Sequence, residues 1–319
     1  MTSPRRARWA PALSLITIAL VTSGCATGPA APQARPFATL APMDPPPVGE
    51  VPRLTRVDDR RLPVESYLLT GEQFRTYDAA QDVLTARCVR GFGLEYARPP
   101  GSGAAPETQT THRYDPVDPA DVAANGYHSP DPAAGRKPAG APTVDPDVRT
   151  VLGNGLAPDG RTAPGLATEF HGKALPAGGC IADAQRQLIA KGGTGRDADV
   201  AVALNFEGFE RSKADPRVLA AFQAWSACMK ERGYDYPTPG DALKDARWGA
   251  TPTATAEEIA TATADVDCKA RANVVGVWFT VEAAYEDELI RRHQEELTTV
   301  KVGNEAMTAL ARSVLAAGG

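Results

Sequence analysis

The sequence predicts a mainly α-helical fold: a disulfide-stapled ectodomain of two related units with a long irregular loop region. Three observations predict it. Apolar residues recur at three- and four-residue spacing behind helix-start signals. Beyond an export signal and Cys25, four cysteines remain, an even number suited to two bridges in an oxidising compartment. Aromatics are 6% of the chain while Gly (29) and Pro (28) abound, so the core is expected from Ala, Leu and Val on helices joined by loops. Strand signals are weak, with one or two short hairpins expected within 90–175.

Residues 1–24 read as an export signal. Arg5, Arg6 and Arg8 precede an apolar stretch, Ala10 to Val21, and the small residues Ser23 and Gly24. The stretch is about 12 residues, short of the roughly 20 that a spanning helix needs. Cys25 follows directly and resembles the cysteine of a bacterial lipobox, whose thiol is lipidated with palmitate-type chains and becomes the mature N-terminus. Thr22 stands where that signal usually carries Leu. An ordinary signal peptide, with Cys25 a free thiol, is the alternative. Residues 25–60 then read as a Pro/Ala-rich tether, because Gly28-Pro29-Ala30-Ala31-Pro32 and Pro45-Pro46-Pro47 favour extended polyproline II geometry.

Residues 61–195 read as a first helical unit. Thr70 and Gln73 form a capping box opening a helix to about Arg90, with Phe74, Tyr77, Ala80, Leu84 and Cys88 on its buried face. Residues 97 to about 178 are expected mostly as loop, with one helical turn from Asp118-Pro119 to Gly126. A helix from Cys180 to about Lys191 is stopped by Gly192-Gly193. Residues 196–319 read as a second unit. A short helix spans about 198–211, and Asp215-Pro216 opens another to Arg232 with Leu219, Phe222, Trp225 and Met229 on one face. Thr255 and Glu258 make a further capping box. Helical residues then run to about Lys301, on the order of 65–70 Å if unbroken, so a break near Gly276 is expected. Gly303-Asn304 is expected to separate a last helix.

The chain carries an internal echo. Cys88 to Tyr96 and Cys228 to Tyr236 both read Cys, apolar, basic, two residues, Gly, one residue, acid, Tyr. A glycine five residues past each cysteine suits a helix end that needs φ > 0. The echo favours bridges Cys88–Cys180 and Cys228–Cys268, one per unit. Four cysteines allow three pairings, and the other two stay open. No CxxC spacing or clustered His favours zinc.

Several segments resemble a family of uncharacterised exported proteins and lipoproteins of actinobacteria. They are Leu62-Pro63-Val64-Glu65-Ser66-Tyr67, the Cys88 helix, Arg113-Tyr114 with Gly126-Tyr127-His128, and Pro176 to Cys180. Trp225 to Met229 and Asp265 to Lys269 complete the set. The resemblance covers roughly residues 60–315. It implies an envelope location and two cysteine pairs, and no activity.

Removing residues 1–24 takes away three of the 34 basic residues and no acid, so 31 basic residues face 39 acids, net −8. That balance argues against nucleic acid as a partner. No GxSxG, HExxH or phosphate-cradling loop occurs, and no catalytic residue, metal ligand or cofactor is assigned. Tyr114, Tyr127 and His128 are the candidate ligand-binding residues, since aromatic faces beside imidazoles suit a sugar or peptide; a loop packed on its own aromatics would look the same. Trp225, Trp248 and Trp278 are weaker candidates for a carbohydrate site. Paired carboxylates among Asp265, Asp267, Glu286, Asp287 and Glu288 would suit a glycan hydrolase, although acids on such helices usually form a solvated face. Glu282 and Glu286 are placed on that face too. The expected function is a non-enzymatic binding or accessory component of the cell envelope. It would be held on the outer face of the cytoplasmic membrane by acylated Cys25, with a membrane protein or the wall as partner. A carboxylate hydrolase and a structural spacer are the alternatives.

Overall fold

The computed structural model describes residues 42–57, 60–97, 112–128, 144–155, 162, 165–189 and 199–318. The export signal, Cys25, the tether to residue 41 and the Gly192-Gly193 stop lie outside them. The fold is mainly α, with ten helices and one two-stranded sheet among the described residues.

Helix starts follow local chemistry. Helix α1 (Gly71–Arg90) opens at Thr70 with both halves of the capping box made. Helices α2 (Pro119–Asn125) and α3 (Pro146–Leu152) each begin with an Asp N-cap and Pro at the first position. α3 lies in the stretch expected as loop, and its Asp145-Pro146 start carries the same signal as Asp118-Pro119. The hairpin of β1 (Glu169–Phe170) and β2 (Lys173–Ala174) pairs Glu169 with Ala174 and Phe170 with Lys173. His171 and Gly172 both take φ > 0 between the strands, as a tight hairpin turn requires.

Helix α4 (Gly179–Ile189) carries Cys180, and α5 (Asp199–Lys213) precedes α6 (Pro216–Glu231). On α6, Phe222, Trp225 and Met229 are buried as expected, but Leu219 is 42% exposed and Val218 takes the inner position. The short α7 (Pro239–Leu243) leads to α8 (Ala256–Ala272), α9 (Val274–Arg292) and α10 (Gln294–Gly318). The long helical run therefore breaks at Asn273, in the left-handed region with φ 52°, and again at His293. The first break lies one turn before Gly276, near the expected place. Gly303-Asn304 does not end a helix: both residues are buried inside α10, and Asn304 Nδ2 donates to Tyr67 O at 3.0 Å.

The echoed segments end alike. Gly93 and Gly233 have φ of 77° and 89°. Leu94 N–H reaches back to Val89 O, and Tyr234 N–H to Met229 O, which is the Schellman arrangement. The bridges are Cys88–Cys180 and Cys228–Cys268. Each lies in its own apolar cluster, the first with Val148, Val151 and Phe170, the second with Phe222, Trp225 and Trp278.

The described residues from Met43 onward form one compact unit. Helix α10 packs along α1 and touches α4, while α5 packs on α9 and α6 on α8 and α9. The apolar face of α10 (Met307, Leu310, Ala311, Val314) is thus covered by α1 and α4. Residues 43–57, expected within the tether, lie along the body. Met43, Val48, Leu54 and Val57 join the main core, and Arg217 Nη1 donates to Pro46 O at 2.9 Å.

Candidate functional site

Tyr114, Tyr127 and His128 sit at the two ends of the segment 112–128, and each grips a different carboxylate of the helical body. The Tyr114 hydroxyl donates to Glu282 Oε2 at 2.8 Å, with its ring edge-on to Trp278. The Tyr127 hydroxyl donates to Asp265 Oδ2 at 3.2 Å while its ring stacks on Trp248. His128 Nδ1 lies 2.7 Å from Glu258 Oε1, and Nε2 lies 3.0 Å from Thr251 O. Both ring nitrogens face acceptors, so both must carry protons, and the imidazolium is the form the site selects. The hydrogen bond to Glu258 raises the His128 pKa, with Thr251 O helping. Burial raises both tyrosine hydroxyls, and the adjoining carboxylates raise them further.

These three side chains do not converge on an open ligand site. They dock the segment onto α8 and α9. Glu258 is the third residue of α8, and Thr255 Oγ1 accepts its N–H at 3.2 Å. Its carboxylate accepts Tyr127 N–H at 2.8 Å and contacts His128, so it serves the loop. Gly126 makes room for it: a Cβ there would fall 2.8 Å from Glu258 Oε1.

The acids expected on solvated faces divide sharply. Asp265 is fully buried and holds Trp225 Nε1 at 2.9 Å and Lys269 Nζ at 3.2 Å. Burial raises its pKa and lowers that of Lys269, each offset by the other's charge. Asp267 is exposed and pairs with Arg232 at 2.9 Å. The two aspartates beside Cys268 therefore face apart and form no catalytic pair. Trp225, Trp248 and Trp278 are all buried, which removes them as an aromatic floor.

Glu282 and Glu286 also belong inside. They are 0% and 1% exposed on α9, because that helix is covered by α5, α6 and a 3-10 turn at Pro63–Tyr67. Their positions interleave with Trp278, Val281, Tyr285 and Leu289, an apolar stripe that signals burial. Glu282 faces Arg113 Nε at 3.1 Å, and Arg113 in turn donates to Asn205 Oδ1. Glu286 Oε2 accepts Val64 N–H at 3.0 Å. Burial pushes Glu282 up to about 7 and Glu286 up to about 8. By contrast Glu288, which the Arg291 and Arg292 guanidinium groups hold at about 2, does lie on the outer face.

The outer side of the same 3-10 turn forms one wall of a groove of about 470 Å³, with α10 opposite. Pro63 and Leu68 supply its apolar surface, and Glu65 lines it with its side chain nearly buried. Lys301 and Glu305 project from successive turns of α10 into its edge, and among the described residues neither has an ion-pair partner. Comparison of the chain with family models, with curated proteins and with solved structures finds no match.

Proposed function

We propose that this chain is a membrane-anchored extracytoplasmic lipoprotein that acts as a non-enzymatic binding or accessory component of the cell envelope. It belongs with the uncharacterised actinobacterial exported proteins it resembles. The groove between the Pro63–Tyr67 turn and α10 is its binding face. The observation that carries this reading is the pair Lys301 and Glu305, unpaired and of opposite charge, above an apolar floor. Such a surface suits a peptide segment or a ligand carrying charges on an apolar stem. The lipobox-like Cys25 and two bridges of an oxidising compartment support the location. No described helix is long and apolar enough to cross a membrane, so in this reading the acylated Cys25 holds the protein to the bilayer.

Metabolic labelling with an alkynyl palmitate tests the anchor: label on the wild type and none on Cys25→Ser is expected. Membrane pull-down of the lipidated protein against Lys301→Glu tests the groove. A membrane protein enriched with the wild type and lost with Lys301→Glu supports the reading. Equal enrichment with both forms overturns the groove, and retention of glycan fragments alone moves the role to the wall.

A further inference from the structure

Two buried carboxylates, Glu282 and Glu286, meet beneath the groove wall with the Arg113 guanidinium beside them, and a third, Glu65, lies in the wall itself. Glu282 and Glu286 lie one turn apart on α9, and Glu65 of the wall is 7% exposed. Arg113 is the guanidinium beside Glu282, its side chain 10% exposed. Donors reach one oxygen of each α9 glutamate: the Tyr114 hydroxyl on Glu282 Oε2 and the Val64 N–H on Glu286 Oε2. The other oxygen of each, Oε1, is buried and accepts no hydrogen bond, but Glu282 Oε1 lies 3.1 Å from Arg113 Nε whereas Glu286 Oε1 has no such neighbour. Helix α5 closes the cluster with Asn205 and Gly208, neither of which titrates; a Cβ on Gly208 would fall 2.8 Å from Glu286 Cγ. Arg61 stands 4.0 Å from Glu65 at the rim, and Lys301 and Glu305 of α10 line the outer side. Tyr285, Asp215 and Arg217 form a separate set on the neighbouring side of α9.

We propose that Glu286, beside the Arg113-paired Glu282, is a proton-binding latch under the Pro63–Tyr67 turn: its proton keeps the turn seated, and loss of that proton loosens the turn and reshapes the groove. With Glu282 and Glu286 both ionised, two buried charges face the one guanidinium of Arg113, which low-dielectric surroundings oppose strongly. A proton on Glu286 Oε1, the oxygen without a partner, removes one buried charge, while Glu282 Oε1 stays beside Arg113 Nε at 3.1 Å. Without it, the charges repel and draw water. The short turn over Glu286 is the element that can yield, since it is five residues long and rests on Val64 N–H and Asn304. The pKa values held up by burial agree with a proton present at neutral pH. The effect on binding rests on the groove reading above, whereas the proton site itself does not.

Amide hydrogen exchange of the full mature chain at pH 6 and pH 9, corrected for intrinsic rates, tests the latch without any ligand. Protection of peptides spanning 62–68 is expected to fall on the order of tenfold in the wild type, the scale of a local opening. Peptides of α6 and α8 should hold. Glu286→Gln, neutral at both pH values, should show equal protection. Equal protection in the wild type, or the same loss in Glu286→Gln, overturns the proposal. Should Glu286→Gln fail to fold, the infrared carbonyl band of a buried protonated carboxyl decides on the wild type. Its presence at pH 6 and loss by pH 9 supports the latch, and its absence at pH 6 overturns it. A groove failure would show instead in the Lys301→Glu pull-down.

Discussion

Asn273 accepts the backbone N–H of Leu54 on its side-chain oxygen at 3.0 Å, and the nitrogen of the same amide donates to Pro52 O at 3.0 Å. The residue that breaks the long helix thus fastens the incoming chain. Gly276, one turn further on, lets that chain come close: a Cβ there would fall 2.1 Å from Pro52 O. Asn273→Ala should lower stability by about 1–3 kcal/mol, because it strips two backbone groups of their partner and puts a Cβ-only side chain in the left-handed region. Gly276→Ala should lift residues 50–57 as well, because the added Cβ would also fall 2.5 Å from Asn273 Oδ1. Thermal unfolding and limited proteolysis of 43–57 read both; wild-type behaviour in each would show that the strap contributes nothing.

Both bridges should stabilise strongly and unequally. They close loops of 92 and 40 residues in sequence separation. Loop entropy then gives about 4.6 and about 3.9 kcal/mol, lowered by any structure left in the unfolded chain. Urea unfolding of the Cys88→Ser/Cys180→Ser and Cys228→Ser/Cys268→Ser variants should show a loss of this order for each. A loss under about 1 kcal/mol for either would place its stabilisation elsewhere.

The His128–Glu258 contact should make stability fall as pH rises. The folded state raises the His128 pKa above its ordinary 6.5. Its contribution is therefore fully present below about 6.5 and is lost as pH climbs through the raised folded value. Denaturant midpoints of wild type and His128→Gln from pH 5.5 to 9 should differ most at the acid end and converge at the alkaline end. A constant difference would mean that the imidazole does not titrate in this contact.

Glu282 and Glu286 act with the same sign. Their folded pKa values of about 7 and about 8 lie above the ordinary 4.5, so the folded chain binds more protons than the unfolded one between those limits. Stability from this source is greatest below pH 4.5 and declines to about pH 8. Glu286→Gln should flatten the slope between pH 6 and 8, measured by chemical unfolding; an unchanged slope would assign it to other groups.

Gly208→Ala should crowd Glu286, since the added Cβ falls 2.8 Å from its Cγ. An overpacking cost of about 1–3 kcal/mol is expected. Combined with Glu286→Ala, which clears that space, the added cost of the alanine at 208 should vanish. A double-mutant cycle measures this, and simple additivity would refute the contact.

The sequence by itself determined the features whose causes lie within a few residues. Thr70 with Gln73, Asp118-Pro119 and Asp215-Pro216 start helices because their side chains meet N–H groups two or three residues away. Gly93 and Gly233 end helices because φ > 0 is a local demand, and the matching segments around them pointed to the bridges that form. Tertiary structure alone decided what depends on distant chain. Asn273 breaks the helix where Pro52 and Leu54 arrive, 221 and 219 residues away in sequence. Gly303 and Asn304 stay helical because α10 is packed around them and Tyr67 takes the Asn304 amide. Glu258, Glu282 and Glu286 look like surface acids until Tyr127, Arg113 and Val64 reach them across long separations. A cap is selected by its own neighbours, but a buried charge is tolerated only by the partners that folding brings to it.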